Sequence, residues 1–482
     1  MNRAIDCLRA GSQLYELGAT ELAALYDARR LSPVEVAKDV LGRIDEVDDR
    51  VHAFFTVTRE LALRDAHAAE HRMMHGERLG PLDGIPVSIK DLEPTAGIRT
   101  TFGSPATVEH VPEVDGAAAG RLRAGGAVLL GKTAAPDSGY KDTSDTLIFP
   151  EPANPWNLDR TPGGSSGGAA AAVAVGMGPL AHGSDGAGSI RIPSALCGVV
   201  GLKPTLGRVP VWPQPFYRDT VGHNGAIGRT VADVALMLDV LAGPDARDPM
   251  SLIGGPSGGF RACLDAPSPE RLRILVSVDL GYGAVDPEIA AAVRRAAAET
   301  AGSHAWALEE GDPGWSDPGA TQADWWSGEF AGIFADTLRD HPEWLQDDLK
   351  ALVEKGIARR QGDFDYRRMR GALHDAQRAL FERHDYLVTP TMPLTAWRRG
   401  TSPDGVAGRS FPQGAFGRNF LLFPFNLTGN PAITVPCGLS SEGLPIGVQI
   451  VGRLYDEVGV LAVAKAFEEV AGFPAGPIDP AV

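Results

Sequence analysis

Cysteine is scarce in these 482 residues. Cys7, Cys197, Cys263 and Cys437 stand far apart, with neither the paired spacing of a zinc site nor the density of a disulfide scaffold. A reduced, cytoplasmic compartment is the default expectation. Long apolar runs are missing as well. The longest weakly polar run, residues 167–181, is built largely of alanine and glycine and falls short of the about 20 apolar residues that span a bilayer. Residues 1–17 carry Arg3, Asp6, Arg9 and Glu16 and no continuous apolar stretch, so a signal peptide is not expected. Positive charge is the third shortage. Lys and Arg number 45 against 61 Asp and Glu, a net charge of −16, which argues against a broad nucleic-acid or anionic-membrane surface.

What the chain does have is glycine. Its 58 glycines and 37 prolines make up about a fifth of the residues, where an average chain has about 12%. A hydrophobic fraction of 44% with 22% charged residues is nonetheless that of a globular chain with a large core. The excess is local. Residues 160–209 hold 12 glycines and only five charged residues, at irregular spacing and interleaved with apolar residues. That pattern reads as an ordered site built from backbone, not as low complexity.

Along the chain, Ser32-Pro33-Val34-Glu35 combines an N-cap serine, a proline at the first helical position and a capping-box glutamate ahead of apolar residues at helical spacing. Helices are also expected over 168–177, 230–241 and 287–298, the last with an Asp286-Pro287 start. Short apolar runs at 85–89 and 127–130 read as buried strands, each leading to a lysine, Lys90 and Lys132. Further strands are expected at 272–278, 386–389, 432–435 and 446–451. Strands alternating with helices indicate an α/β fold with helices on both faces of the sheet. No long linker separates the halves, so one domain is expected over 1–482. Its parts would be a helical N-terminal region at about 1–75, a core at about 76–245 and an insertion at about 306–370. The insertion carries Trp306, Trp315, Trp325, Trp326 and Trp344, which either pack or cap a substrate pocket.

Two apparent motifs fail on context. Gly164-Ser165-Ser166-Gly167-Gly168 fits G-x-S-x-G with Ser166 as nucleophile, but no strand precedes it. His67-Ala-Ala-Glu70-His71 fits a zinc pattern, yet continues as an ordinary exposed, alanine-rich helix. A third stretch is more promising. In Gly183-Ser-Asp-Gly-Ala-Gly-Ser189-Ile-Arg191, small residues before a serine let successive N–H groups converge on one point, as a developing oxyanion requires.

With its neighbours, this stretch resembles the amidase signature family. The resemblance rests on Thr161-Pro-Gly-Gly-Ser-Ser-Gly-Gly-Ala169, on Ser184-Asp-Gly-Ala-Gly-Ser-Ile-Arg-Ile-Pro193, on Cys197-Gly-Val-Val-Gly-Leu-Lys-Pro204 and on Gly84-Ile-Pro-Val-Ser-Ile-Lys90 upstream. Gly131-Lys-Thr133, Ala153-Asn-Pro-Trp156, Asn426-Leu-Thr-Gly-Asn-Pro431 and Gly443-Leu-Pro-Ile-Gly-Val-Gln449 follow in the family's order. The resemblance implies a single amidase-signature domain around a large mixed β-sheet. It makes Ser189 the nucleophile, Ser165 the bridging serine, reached through a cis Gly164-Ser165 bond, and Lys90 the base. The N–H groups of Gly186, Ala187, Gly188 and Ser189 would form the oxyanion hole, and Ser166 would support the relay. Asp185 and Arg191 bracket the nucleophile and are expected to pair or to bond the loop backbone. Lys132 and Lys203 are assigned structural roles.

The chemistry agrees with these assignments. A lysine acts as a base only when neutral, and the end of an apolar strand supplies the desolvation Lys90 would need. No metal or organic cofactor is required. Two departures stand out. The family commonly shows Asp-Thr-Gly-Gly-Ser where this chain has Asp185-Gly-Ala-Gly-Ser189, and Pro136-Asp-Ser-Gly-Tyr-Lys141 replaces the usual Met-Pro-Glu-Phe. Homologous positions line the acyl pocket, which makes Gly139 and Tyr140 candidates for substrate contact. The expected function is a stand-alone hydrolase of small apolar or aryl amides, extending to carbamates and aryl esters, acting as monomer or homodimer. Trp212, Phe216, Tyr217 and the insertion motivate the apolar pocket. The alternative is the glutaminase component of a tRNA-dependent amidotransferase, which would need further protein partners.

Overall fold

The computed structural model describes residues 13–213, 220–359, 364–411 and 414–480. Phe216 and Tyr217 lie outside the described residues. The strands in chain order are β1 (Phe54–Val57), β2 (Pro86–Lys90), β3 (Val128–Thr133), β4 (Leu180–Asp185), β5 (Val200–Lys203), β6 (His223–Gly228), β7 (Arg273–Val276), β8 (Ala307–Glu310), β9 (Tyr386–Pro390), β10 (Gly405–Val406), β11 (Arg409–Ser410), β12 (Ala432–Leu439) and β13 (Pro445–Val451). Eleven of them form one mixed sheet in the order β1-β3-β2-β4-β6-β5-β12-β13-β9-β7-β8, and β10 pairs with β11 apart from it. β2 runs parallel to both β3 and β4, whereas β4–β6, β6–β5, β5–β12 and β12–β13 are antiparallel.

Successive strand residues point to opposite faces, and here each face meets its own core. Ile274 and Val276 belong to one apolar cluster and Leu275 between them to the other; Tyr386 and Val388 against Leu387 repeat the pattern. The first core is covered by helices Pro33–Val51, Gly167–Ala174, Val231–Leu241 and Glu457–Ala471, the second by Arg191–Cys197 and Phe364–Arg383. Apart from the exposed edge strand β8, the sheet is therefore covered by helices on both faces, as expected.

The capping box forms: Val34 N–H donates to Ser32 Oγ at 3.0 Å and Ser32 N–H to Glu35 Oε2 at 3.0 Å. The small-residue helix starts at Gly167 and ends at Ala174, three residues before the expected end. Its closeness to the rest of the fold explains the composition, since a Cβ on Gly168 would stand 2.4 Å from Ala134 N and 2.5 Å from Ala53 O. The helix Arg59–His75 forms around the apparent zinc motif, but Glu70 accepts from Ser32 Oγ and His71 stacks on His75. Of the span 306–370, the first residues are edge strand β8. Helices Gly319–Asp340 and Asp347–Ile357 then pack on each other and on Tyr140. Among the described residues no helix is long and apolar enough to cross a membrane.

Candidate active site

Lys90 ends β2 and Asp185 ends β4, and these strands are parallel neighbours with Ile89 opposite His182. Their carboxyl ends therefore lie side by side, where ligands bind in open α/β sheets. The turn after β4 carries Ser189 into helix Arg191–Cys197, and the turn before helix Gly167–Ala174 carries Ser165. The Gly164–Ser165 peptide is cis. Ser166 N–H donates to the Ser189 carbonyl at 3.1 Å, and Ser166 Oγ–H donates to the Ser184 carbonyl at 3.2 Å, tying the two turns together. Ser144 Oγ–H donates to the Gly163 carbonyl at 2.9 Å and accepts from Gly167 N–H at 3.0 Å, which fixes the turn from below.

Lys90 is fully buried, with Nζ 2.7 Å from Ser165 Oγ, 3.0 Å from Ser184 Oγ and 3.2 Å from the Ser184 carbonyl. Burial pushes its ammonium down to about 7, against the opposing pull of Asp185. A neutral amine has two N–H donors and one lone pair, and three neighbours at hydrogen-bond distance suit it. The other buried lysines differ. Lys132 Nζ donates to the Glu93 carbonyl, Thr95 Oγ1 and Thr100 Oγ1, and Lys203 Nζ to the carbonyls of Asn430 and Pro204. Neither is bonded to a serine.

Asp185 organises the loop that follows it. Its Oδ1 accepts from Gly188 N–H at 2.7 Å and its Oδ2 from Ile190 N–H at 3.2 Å. Arg191 closes a two-point pair on the same carboxylate at 2.9 and 3.0 Å. Burial alone would raise the Asp185 carboxyl, but Arg191, Lys203 and Asn426 hold it well below the usual carboxylate range. Arg191 spends its remaining donors on Asn426 Oδ1, Gln449 Oε1 and the Leu422 carbonyl, all inside the protein. It is a positioning residue, as the bracketing charges led one to expect.

One expectation needs correcting. Gly188 N–H is bound by Asp185 Oδ1, so of the four N–H groups expected to face an oxyanion this one is already engaged inside the protein. Gly188 serves by shape instead: its φ is +115°, and a Cβ there would stand 2.5 Å from Leu422 Cδ1. Ala187 has no positive φ, so an alanine fits where the family commonly has glycine.

Ser165 and Ser189, the latter 8% exposed, line a cavity of about 150 Å³ walled by Leu92, His223, Trp325 and Phe330. A second cavity of about 160 Å³, walled by Tyr140, Leu352 and Asn419, meets it at Gly139, Ser189 and Trp326. Gly139 thus lines both, and its φ of +74° with Leu92 Cδ1 2.8 Å from a would-be Cβ demands glycine. Tyr140 lines the second cavity, and its hydroxyl donates to Asp348 Oδ1 at 2.5 Å on the same wall. Two of the five tryptophans, Trp325 and Trp326, reach the site; Trp306 donates to the Pro269 carbonyl and Trp344 stacks on His341. Sequence reasoning misses Ser184, Asn426 and Gln449 as site residues. The last two stand in motifs of the family resemblance without a role, and the signal for Ser184 is only its place next to Asp185. Among the described residues no group of three possible ligands could hold a metal.

A buried lysine bonded to Ser165, on the carboxyl edge of a mixed sheet, with Ser165 and Ser189 lining one cavity, defines the site of this α/β protein. Comparison with known proteins narrows the class. The model of the Amidase family matches residues 35–461. An acylamidase of Rhodococcus erythropolis is 39% identical over 471 residues, covering 95% of this chain and 96% of that protein. A glutamyl-tRNA(Gln) amidotransferase component from Moorella thermoacetica is 35% identical over 484 residues, covering 95% of this chain and 97% of that protein. A solved bacterial aryl acylamidase of the amidase signature family superimposes with a TM-score of 0.88 at 29% identity, covering 97% of this chain and 100% of that one. The chain belongs to the amidase signature family and is an enzyme acting on C–N amide bonds.

Proposed function

We propose that the protein hydrolyses small apolar or aryl amides through an acyl-enzyme on Ser189, with carbamates and aryl esters as further substrates. The observation that carries this reading is Lys90: buried, held near neutrality and 2.7 Å from the hydroxyl of Ser165, which shares its cavity with Ser189. The Ser165 O–H donates to the Lys90 lone pair. As Ser189 Oγ attacks the acyl carbon, its proton passes to Ser165 Oγ while the Ser165 proton passes to Lys90. The negative oxygen that forms is met by N–H groups of Gly186, Ala187 and Ser189. The relay then returns a proton to the amine nitrogen, the C–N bond breaks, and water repeats the steps to release the acid. No cofactor enters any step.

The apolar walls Leu92, Trp325 and Phe330, with the acylamidase and aryl acylamidase names of the relatives, support an apolar substrate. The test is a side-by-side assay of an anilide, a urethane and a primary amide with wild type and Ser189→Ala. The anilide should be hydrolysed, and the variant should lose all turnover; equal rates in the variant would remove the mechanism. The amidotransferase relative supports a second reading, a glutaminase. Glutamine hydrolysis stimulated by a co-purifying protein, with no anilide turnover, would favour it.

A further inference from the structure

The two cavities meet at one side chain. Trp326 lines both, together with Gly139 and Ser189, while Trp325 and Phe330 face only the first and Tyr140 and Leu352 only the second. The indole is fixed at that place. Its Nε1–H donates to the Tyr140 carbonyl at 3.2 Å, and its ring packs on Phe330 with centroids 5.2 Å apart. Its Cη2 edge also lies only 3.2 Å from where a Cβ on Gly186 would be. It therefore stands over the loop that presents Ser189, held from the side of the second cavity by its nitrogen and from the first by its ring.

The volumes set a scale. A closed apolar cavity of about 150 Å³ takes one benzene ring; the cavities here are of that size, about 150 and about 160 Å³, but open in part to solvent and share their apolar walls with Glu93 and Asp185 in the first and Asp142 and Asp348 in the second. We infer that Trp326 is the specificity-determining wall between two one-ring chambers. The preferred substrates are then secondary amides that carry one planar ring, or a group of that bulk, on each side of the scissile C–N bond. This rests on the proposed reading of Ser189 as nucleophile, because Ser189 is the reactive group common to both chambers. A fused second ring held inside either chamber, and not in its open mouth, meets Trp326, and loss of the indole should relieve both sides at once. Two independent pockets would respond to separate residues.

The experiment compares kcat/KM for acetanilide, N-phenylbenzamide, N-phenyl-1-naphthamide and N-(1-naphthyl)benzamide in wild type, Trp326→Phe, Trp326→Ala and Ser189→Ala. Even one methylene too many in a fitted pocket costs about tenfold. Wild type should therefore favour N-phenylbenzamide over each naphthyl amide by about tenfold or more. Trp326→Ala should bring both preferences to about threefold or less, and Trp326→Phe should fall between. Thermal unfolding reports whether each variant folds, and Trp326→Phe carries the test if Trp326→Ala does not. Wild type that turns over acetanilide but not N-phenylbenzamide would overturn the inference, as would naphthyl preferences unchanged in a folded Trp326 variant. Either result, with turnover still dependent on Ser189, leaves the amidase reading standing; turnover surviving in Ser189→Ala removes that reading itself.

Discussion

At the scale of single residues, the proposed chemistry rests on one lysine kept out of water. An ordinary lysine ammonium has a pKa near 10.4 and cannot accept a proton at neutral pH; burial brings Lys90 to about 7. Below that value the amine is protonated and the relay cannot start; above it the lone pair is available. For the Ser189 hydrolysis proposed here, kcat/KM should rise with pH through about 7 and level off above it, and Lys90→Met should abolish the rise with the activity. A rate that instead climbs near pH 10, measured on an anilide across pH 5 to 10, would mean that burial does not lower Lys90 in this way. Asp185 illustrates how little of such a site is catalytic. It is paired with Arg191 and spends its carboxylate on the N–H groups of Gly188 and Ile190, so it shapes the loop without facing the cavity's contents through those bonds.

At the scale of elements, the site depends on helix Gly167–Ala174 lying unusually close to its neighbours. The backbone at Ala134, just after β3, and at Ala53, just before β1, approaches Gly168 so nearly that a side chain has no room. Gly168→Val should cost about 1–3 kcal/mol as overpacking and also shift the Ser165 turn, two residues before the helix. A urea titration checks the first effect and kcat the second; an undisturbed kcat would show that the turn is held by Ser144 and the Ser166 bonds alone. This helix was legible because its alanine–glycine run is unlike a loop, and the strands ending at Lys90 and Lys132 were legible as apolar runs. β4, β5 and β6 were not. His223-Asn-Gly-Ala-Ile-Gly228 has little strand character of its own. Its place in the middle of the sheet comes from pairing on both sides, and a Cβ on Gly225 would stand 2.2 Å from the Leu202 carbonyl. Glycine here permits close strand packing, a tertiary demand that local propensity does not register.

At the scale of the whole molecule, the described chain closes on itself. Arg43, buried in the first long helix, donates to the Val175 carbonyl, to the Ile478 carbonyl and to Asp479, and Ile478 N–H donates to the Ala174 carbonyl. The C-terminal segment thus holds the end of the helix that follows Ser165. Deleting residues 477–482 leaves Arg43 without Asp479 and should cost about 1–3 kcal/mol for the buried polar groups left unpaired. Thermal inactivation of anilide hydrolysis would show it as a lowered half-inactivation temperature; an unchanged one would make the contact ornamental.

The sequence by itself determined the family and the α/β class and pointed to Lys90, Ser165 and Ser189, because small-residue turns, a capping box and apolar runs leading to lysine are local signals. Only the tertiary structure decided that Gly188 is spent on Asp185, that Asn426 and Gln449 brace Arg191, and that Trp326, out of five tryptophans, stands between two cavities. The reason is physical. A residue's type and neighbours fix what it can donate, accept or bury, but which partner it meets depends on strands and helices hundreds of residues apart being brought to the same edge of one sheet.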